Sequence, residues 1–168
     1  SKNVGYEYLL SLIPNIELYS LHLIRDPRAT AYSWQREKAG LWQPSSGKTT
    51  MTWISRNVAA ELLAEGTTNG CLRQRYEDFV KSPMATVEKV LAMIREKHQD
   101  LSFVTDMEFE LRQHHSVAGN PNRFRTGHFT VRLDDEWKRK IKSPDYILVT
   151  ALTWPFLIRY GYPILSRG

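Results

Sequence analysis

The chain has 168 residues, 42% of them hydrophobic and 24% charged, enough for one domain with a real core. Its net charge of +5 and pI near 9.4 favour anionic partners such as phosphate, sulfate, nucleotides or nucleic acid, without choosing among them. Cys71 is the only cysteine, which excludes an intrachain disulfide and a cysteine-based zinc site; no run of 18 apolar residues offers a transmembrane helix, and the first ten residues lack a secretory leader's apolar stretch.

Residues 4–13, VGYEYLLSLI, read as a helix stopped by Pro14-Asn15. LYSLHLI (18–24) reads as a strand, being short, apolar and bounded by turn signals. Pro27 suits the first turn of a helix, where its missing N–H does no harm, and that helix is expected to run to Lys38. GLWQPSSGKTT (40–50) reads as a loop, and residues 51–65 as a helix ended by Gly66 and Asn69-Gly70. CLRQRY (71–76) is a second strand. Ser82-Pro83 opens a helix whose Val87, Val90, Leu91 and Ile94 share one face at helical spacing. Residues 110–133 read as a long polar loop. Asp134 is expected to cap a short helix reaching Lys140, and Ser143-Pro144 to start a final helix that Pro155 kinks and Tyr160-Gly161 ends. Helices alternating with strands predict an α/β fold with a parallel sheet, and strands 18–24 and 71–76 are expected to be neighbours in it. Two strands make a thin sheet.

Four segments carry candidate chemistry. In LHLIRDPRATAYS, a strand runs into a helix N-terminus, a place where free N–H groups and the helix dipole favour anions. Arg25 at the strand's end suits a charge-assisted contact to phosphate, Ser33 lies two turns further on, and Asp26 is placed to orient Arg25 or Arg28. A surface arginine pair beside a capping aspartate is the competing reading. SGKTT (46–50) imitates a P-loop, but the position that pattern reserves for glycine holds Trp42, and no strand precedes it. LRQRYEDF (72–79) puts Tyr76 at the sheet's carboxyl edge, where a tyrosine can stack on a base or simply close the core. HHSVAGNPNRFRTGHF (114–129) matches no familiar metal-ligand spacing and reads as a basic lid over an anion or as a solvated loop.

Taken together, these segments resemble the sulfotransferases that use 3′-phosphoadenosine 5′-phosphosulfate (PAPS), in particular their carbohydrate-type and bacterial branch. LHLIRDPRATAYS is similar to that family's 3′-phosphate segment, RYEDFVKSP to its Arg-Tyr-Glu-Asp-Leu segment with Phe79 in place of leucine, and GNPNRF to its late Gly-Asn-Pro-x-Arg-Phe segment. DDEWKRK and the closing RYGYP also fit, so the similarity runs from about residue 18 to 163. The resemblance implies a P-loop-NTPase-like three-layer fold forming a single domain over residues 1–168, its short parallel sheet flanked by helices. It implies that Arg25 and Ser33 hold the 3′-phosphate, with Tyr76 and Arg123 near the nucleotide.

The resemblance further implies a sulfuryl donor, PAPS, and an acceptor that is a carbohydrate or other small molecule with a hydroxyl. It implies no metal and no nucleic acid, and a cytoplasmic setting if the source is bacterial or the Golgi lumen if it is an animal carbohydrate enzyme. The family's Gly-rich 5′-phosphosulfate loop has no counterpart before residue 18. The chain is therefore expected to match the family's C-terminal two-thirds, to expose apolar surface on its N-terminal side, and to bind 3′-phosphoadenosine 5′-phosphate (PAP) better than it transfers sulfuryl groups. No residue is assigned as the catalytic base; His22 is one possibility, with His114 and His115 behind it. A nucleotide-binding module without catalysis and a basic nucleic-acid-binding domain are the rival readings.

Overall fold

The computed structural model describes residues 5–36, 43–96, 108–111, 127–130 and 132–166. The described residues form a mixed α/β structure divided into two compact units. The first comprises residues 1–76 and 134–168, and the second residues 77–133.

In the first unit, α1 (Gly5–Ser11) is followed by β1 (Tyr19–Ile24), α2 (Pro27–Gln35), α3 (Ser46–Thr67) and β2 (Gly70–Arg75). As the alternation predicts, β1 and β2 pair in parallel, with Tyr19 beside Gly70 and Ile24 beside Arg75. The long crossover through α2 and α3 is what a parallel pair requires. Leu18 uses both its N–H and its C=O on Asn69, on the β2 side. Strand geometry then turns the backbone groups of Tyr19, Leu21 and Leu23 to the opposite edge, which pairs with no strand among the described residues. Leu21 and Leu23 are about half exposed, as are Tyr8, Leu9 and Ile13 nearby in sequence, so apolar surface does lie on this N-terminal side.

The chain returns to this unit with α6 (Trp137–Lys140) and α7 (Ser143–Arg159). Pro144 sits in the first turn of α7, and the helix continues through Pro155 to Arg159. Gly161, at φ +71°, ends it. There the Tyr162 N–H reaches back to Leu157 O at 2.8 Å and the Gly161 N–H to Ile158 O at 3.1 Å, the paired bonds of a left-handed helix cap. That reversal sends the last described residues back across the unit.

Two apolar clusters hold it together. Ile24, Trp53, Leu157, Tyr160 and Tyr162 form one, on the face of the sheet that α3 and α7 cover. Ala29, Trp137, Ile141 and Tyr146 form the other, behind α2. Tyr160 stands edge-on to Trp53 and to His22. Burial, followed by the nearby Glu61 carboxylate, pushes its phenol up to about 12. The folded protein therefore favours neutral Tyr160. That preference stabilises the fold below the unfolded value near 10 and disappears as pH rises to about 12; it is worth roughly 2–3 kcal/mol. Urea titrations of the wild type and Tyr160→Phe are expected to diverge in slope between pH 10 and 11.5, with the wild type losing more stability. Parallel pH profiles would refute this role.

In the second unit, α4 (Tyr76–Lys81), whose first residue belongs to the first unit, leads to α5 (Pro83–Met93), with Pro83 in its first turn. Val87, Val90, Leu91 and Ile94 are each half-buried. In place of a loop over 110–133, β3 (Glu108–Leu111), which begins just before that segment, and β4 (Gly127–Thr130), inside it, pair antiparallel. Strands of only four residues, Glu-Phe-Glu-Leu and Gly-His-Phe-Thr, display too few alternations to stand out from the polar segment around them.

Candidate functional site

The RDPR segment divides its two arginines between different tasks. Asp26, Pro27 and Arg28 are all buried, and Arg28 is wholly inaccessible. Its guanidinium donates to both oxygens of Asp26, from Nε at 3.0 Å and from Nη2 at 2.7 Å. It also donates to Pro163 O at 2.9 Å and Ile164 O at 2.8 Å, and makes a long 3.5 Å contact to the Tyr146 hydroxyl. Trp137 and Tyr146 flank it with ring centroids 5.1 and 5.6 Å away. Burial alone would lower the Arg28 pKa, but the Asp26 carboxylate raises it on balance. Arg28 is therefore a structural cation that pins the C-terminal segment onto α2.

The N-terminus of α2, expected to receive an anion, is closed by its own sequence. Pro27 has no N–H, and the Arg28 N–H is taken by Asp26 Oδ1 at 2.8 Å. Asp26 thus orients Arg28 and caps the helix with one carboxylate.

Arg25 is the accessible arginine, one residue past β1, with its side chain 26% exposed. Its carbonyl accepts from Trp53 Nε1 at 3.0 Å, which ties it to α3. Its guanidinium lies over the Tyr76 ring, 5.1 Å from the centroid, within cation–π range. Nη2 donates to Asp134 Oδ2 at 3.1 Å, and Nε is buried with no partner among the described residues. Two residues of the sequence reading, Arg25 and Tyr76, are thereby brought together, the ring serving as a platform for the cation. Ser33 lies half-buried near the end of α2, two turns along the helix from Arg25. Arg123, His114 and His115 lie outside the described residues.

Asp134 departs from expectation. Glu136, not Asp134, stands at the start of α6. Asp134 instead bridges Arg25 and Arg36, at 3.1 and 3.0 Å. Arg36 is also held by Glu136 at 2.9 Å. SGKTT likewise departs from its loop reading. It is the first turn of α3, capped by Ser45, with Ser46 donating to Asp145 at 2.6 Å.

A cavity of about 770 Å³ runs along the outer edge of β1. Consecutive residues Leu18–Leu23 line it, and Arg25, Thr30, Trp34, Trp53 and Arg56 lie along its walls. His22 faces Asn57, with Nε2 2.8 Å from Asn57 Oδ1. Because Asn57 Nδ2 donates to Trp53 O at 2.7 Å, its Oδ1 must accept, so His22 carries its proton on Nε2. Trp53 and Asn57, one turn apart on α3, are the residues that sequence reading passed over, and Asp134 reads in sequence only as a helix cap. The i, i+4 spacing of the first two was visible, but their partners were not.

Among the described residues no group of three or more His, Cys, Asp or Glu side chains could hold a metal ion, and no helix is long and apolar enough to cross a membrane. No family model and no curated protein matches the chain.

Proposed function

We infer that this chain supplies the 3′-phosphate side of a PAPS-dependent sulfotransferase with the three-layer fold of that family, acting on a hydroxyl of a carbohydrate or other small acceptor. The observation that carries the reading is Arg25: a partly exposed guanidinium at the carboxyl end of a parallel strand, over the Tyr76 ring and beside a cavity. Ligands of parallel α/β sheets gather at that end of the strands. Ser33 and Arg123 complete the nucleotide contacts that the sequence resemblance assigns.

In sulfuryl transfer the acceptor oxygen attacks sulfur in line, the bond from sulfur to the 5′-phosphate oxygen breaks, and PAP leaves. Such a reaction depends on positioning and on neutralising charge at the transferring and leaving oxygens. Arg25 and Ser33 would act at the other end of the nucleotide, so their contribution is binding and orientation more than selective stabilisation of the transition state.

Calorimetry with PAP and with adenosine 5′-phosphate tests the reading. The wild-type chain is expected to prefer PAP by tenfold or more, about what one additional charge-assisted phosphate contact supplies. Equal affinities would reject a 3′-phosphate site. Weak, unselective binding with a steep salt dependence would favour the nucleic-acid reading instead. Selective PAP binding without transfer from labelled PAPS to a panel of hydroxylated acceptors would point to a binding module.

A further inference from the structure

The outer edge of β1 lacks the usual protections of an exposed strand. Such edges are normally blunted by a charged side chain, a proline or a bulge. Between Glu17 and Arg25 the sequence is Leu-Tyr-Ser-Leu-His-Leu-Ile, with no proline, lysine, arginine or acid, and its pairing with β2 is regular. The edge pairs with no strand among the described residues. The cavity lies against it, with Leu18–Leu23 along its wall, so a further strand has room beside β1. His22 and Ile24 face the α3 side, on Asn57 and in the core cluster. Tyr19, Leu21 and Leu23 alternate to the other face, where Leu21 and Leu23 are 47% and 48% exposed.

We propose that this edge is a homodimer interface, in which β1 of a second copy adds antiparallel to β1 with Leu21 on the two-fold axis. The backbone sets the register. Tyr19, Leu21 and Leu23 turn their N–H and C=O groups outward, and opposed antiparallel residues exchange both bonds only where those groups face each other. Centring on Leu21 sets Tyr19 opposite Leu23 of the second copy, Leu21 opposite Leu21 and Leu23 opposite Tyr19, so all three are used, for about six hydrogen bonds. Charge selects the same alignment. With Leu21 central, Glu17 stands opposite Arg25 of the second copy, and the two-fold axis makes that match twice. Centring on Ser20 or His22 instead sets Glu17 against Leu23 or Pro27. The exposed Leu21 and Leu23 of both copies then form one apolar row with Tyr19. Two thin sheets become one of four strands, in the order β2-β1-β1-β2, a size common in stable domains. The inference does not rest on the phosphate reading.

Sedimentation equilibrium of the full chain is expected to show a reversible monomer–dimer equilibrium. Leu21→Lys places two ammonium groups beside the axis, on Cα atoms about 5.5 Å apart, and should weaken dimerisation about tenfold or more. Glu17→Lys should weaken it too, more at low salt than at high. Both residues are exposed, and circular dichroism checks that the fold is retained. Cross-linking reads the register in a Cys71→Ser background, which removes the chain's one cysteine. Leu21→Cys should form an interchain disulfide with itself. Leu23→Cys should form one only when mixed with Tyr19→Cys, because only opposed residues lie within the span of a disulfide. A monomer at every concentration measured, a dimer indifferent to Leu21→Lys, or Leu23→Cys pairing with itself as readily as Leu21→Cys would overturn the proposal.

Discussion

Arg28→Met is expected to destabilise the protein by about 3–5 kcal/mol, the cost of removing one partner from a buried ion pair. Three losses coincide. Asp26, only 4% exposed, keeps its charge without its guanidinium partner. The carbonyls of Pro163 and Ile164 lose their donor. The rings of Trp137 and Tyr146 lose the flat cation between them. Native domains are stable by only about 5–15 kcal/mol, so this single change brings the chain near its unfolding threshold. Arg28→Lys should fare little better, because an ammonium cannot serve both Asp26 oxygens and both carbonyls in one plane. Adding Asp26→Asn to Arg28→Met should recover part of the loss by removing the uncompensated charge. Urea denaturation of the three variants measures the series. A loss below about 1 kcal/mol for Arg28→Met would show that the pair's desolvation cancels its interactions.

The contrasting expectation concerns Arg25→Ala, which should leave stability within about 1 kcal/mol of wild type because the Arg25–Asp134 pair is partly exposed. PAP binding, in contrast, should weaken by about 2–4 kcal/mol, as when a charge-assisted contact is removed and a phosphate left unpaired. Adenosine 5′-phosphate, which has no 3′-phosphate, should lose much less. Arg25→Lys separates charge from geometry: the cation is kept, while two-point contact with the phosphate and stacking on Tyr76 are weakened. It should fall between wild type and Arg25→Ala. Calorimetry with both nucleotides reads the difference, and equal losses for the two would remove Arg25 from the 3′-phosphate. The two arginines, three positions apart, thus predict opposite phenotypes: stability lost at one, ligand selectivity at the other.

The legible part of this protein was what neighbouring residues decide among themselves. Pro27, Pro83 and Pro144 fix φ and lack an N–H, so each marks a helical first turn wherever it is packed. The segments 18–24 and 71–76 are short and bounded by turns, which is enough to mark strands found at Tyr19–Ile24 and Gly70–Arg75, and the helical stretch between them allows a parallel pairing. Arg25 and Tyr76 stand at the ends of those two strands, so a parallel register brings them together by construction.

Contacts far apart in sequence decided the rest. Nothing within RDPR distinguishes Arg28 from Arg25; the carbonyls that bury Arg28 come from residues 163 and 164, brought there by the reversal at Gly161. Asp134 looks like a helix cap in sequence, and becomes a bridge only because Arg25 and Arg36 converge on it from α2's two ends. SGKTT looks like a loop because Ser46, Gly47 and two threonines are poor helix formers, yet Asp145, nearly a hundred residues on, accepts from Ser46 in the first turn of α3. A sequence states local backbone preference directly, because the groups involved are covalent neighbours. Which charged side chain is buried and which meets solvent depends on desolvation by distant partners, and only the folded chain places those partners.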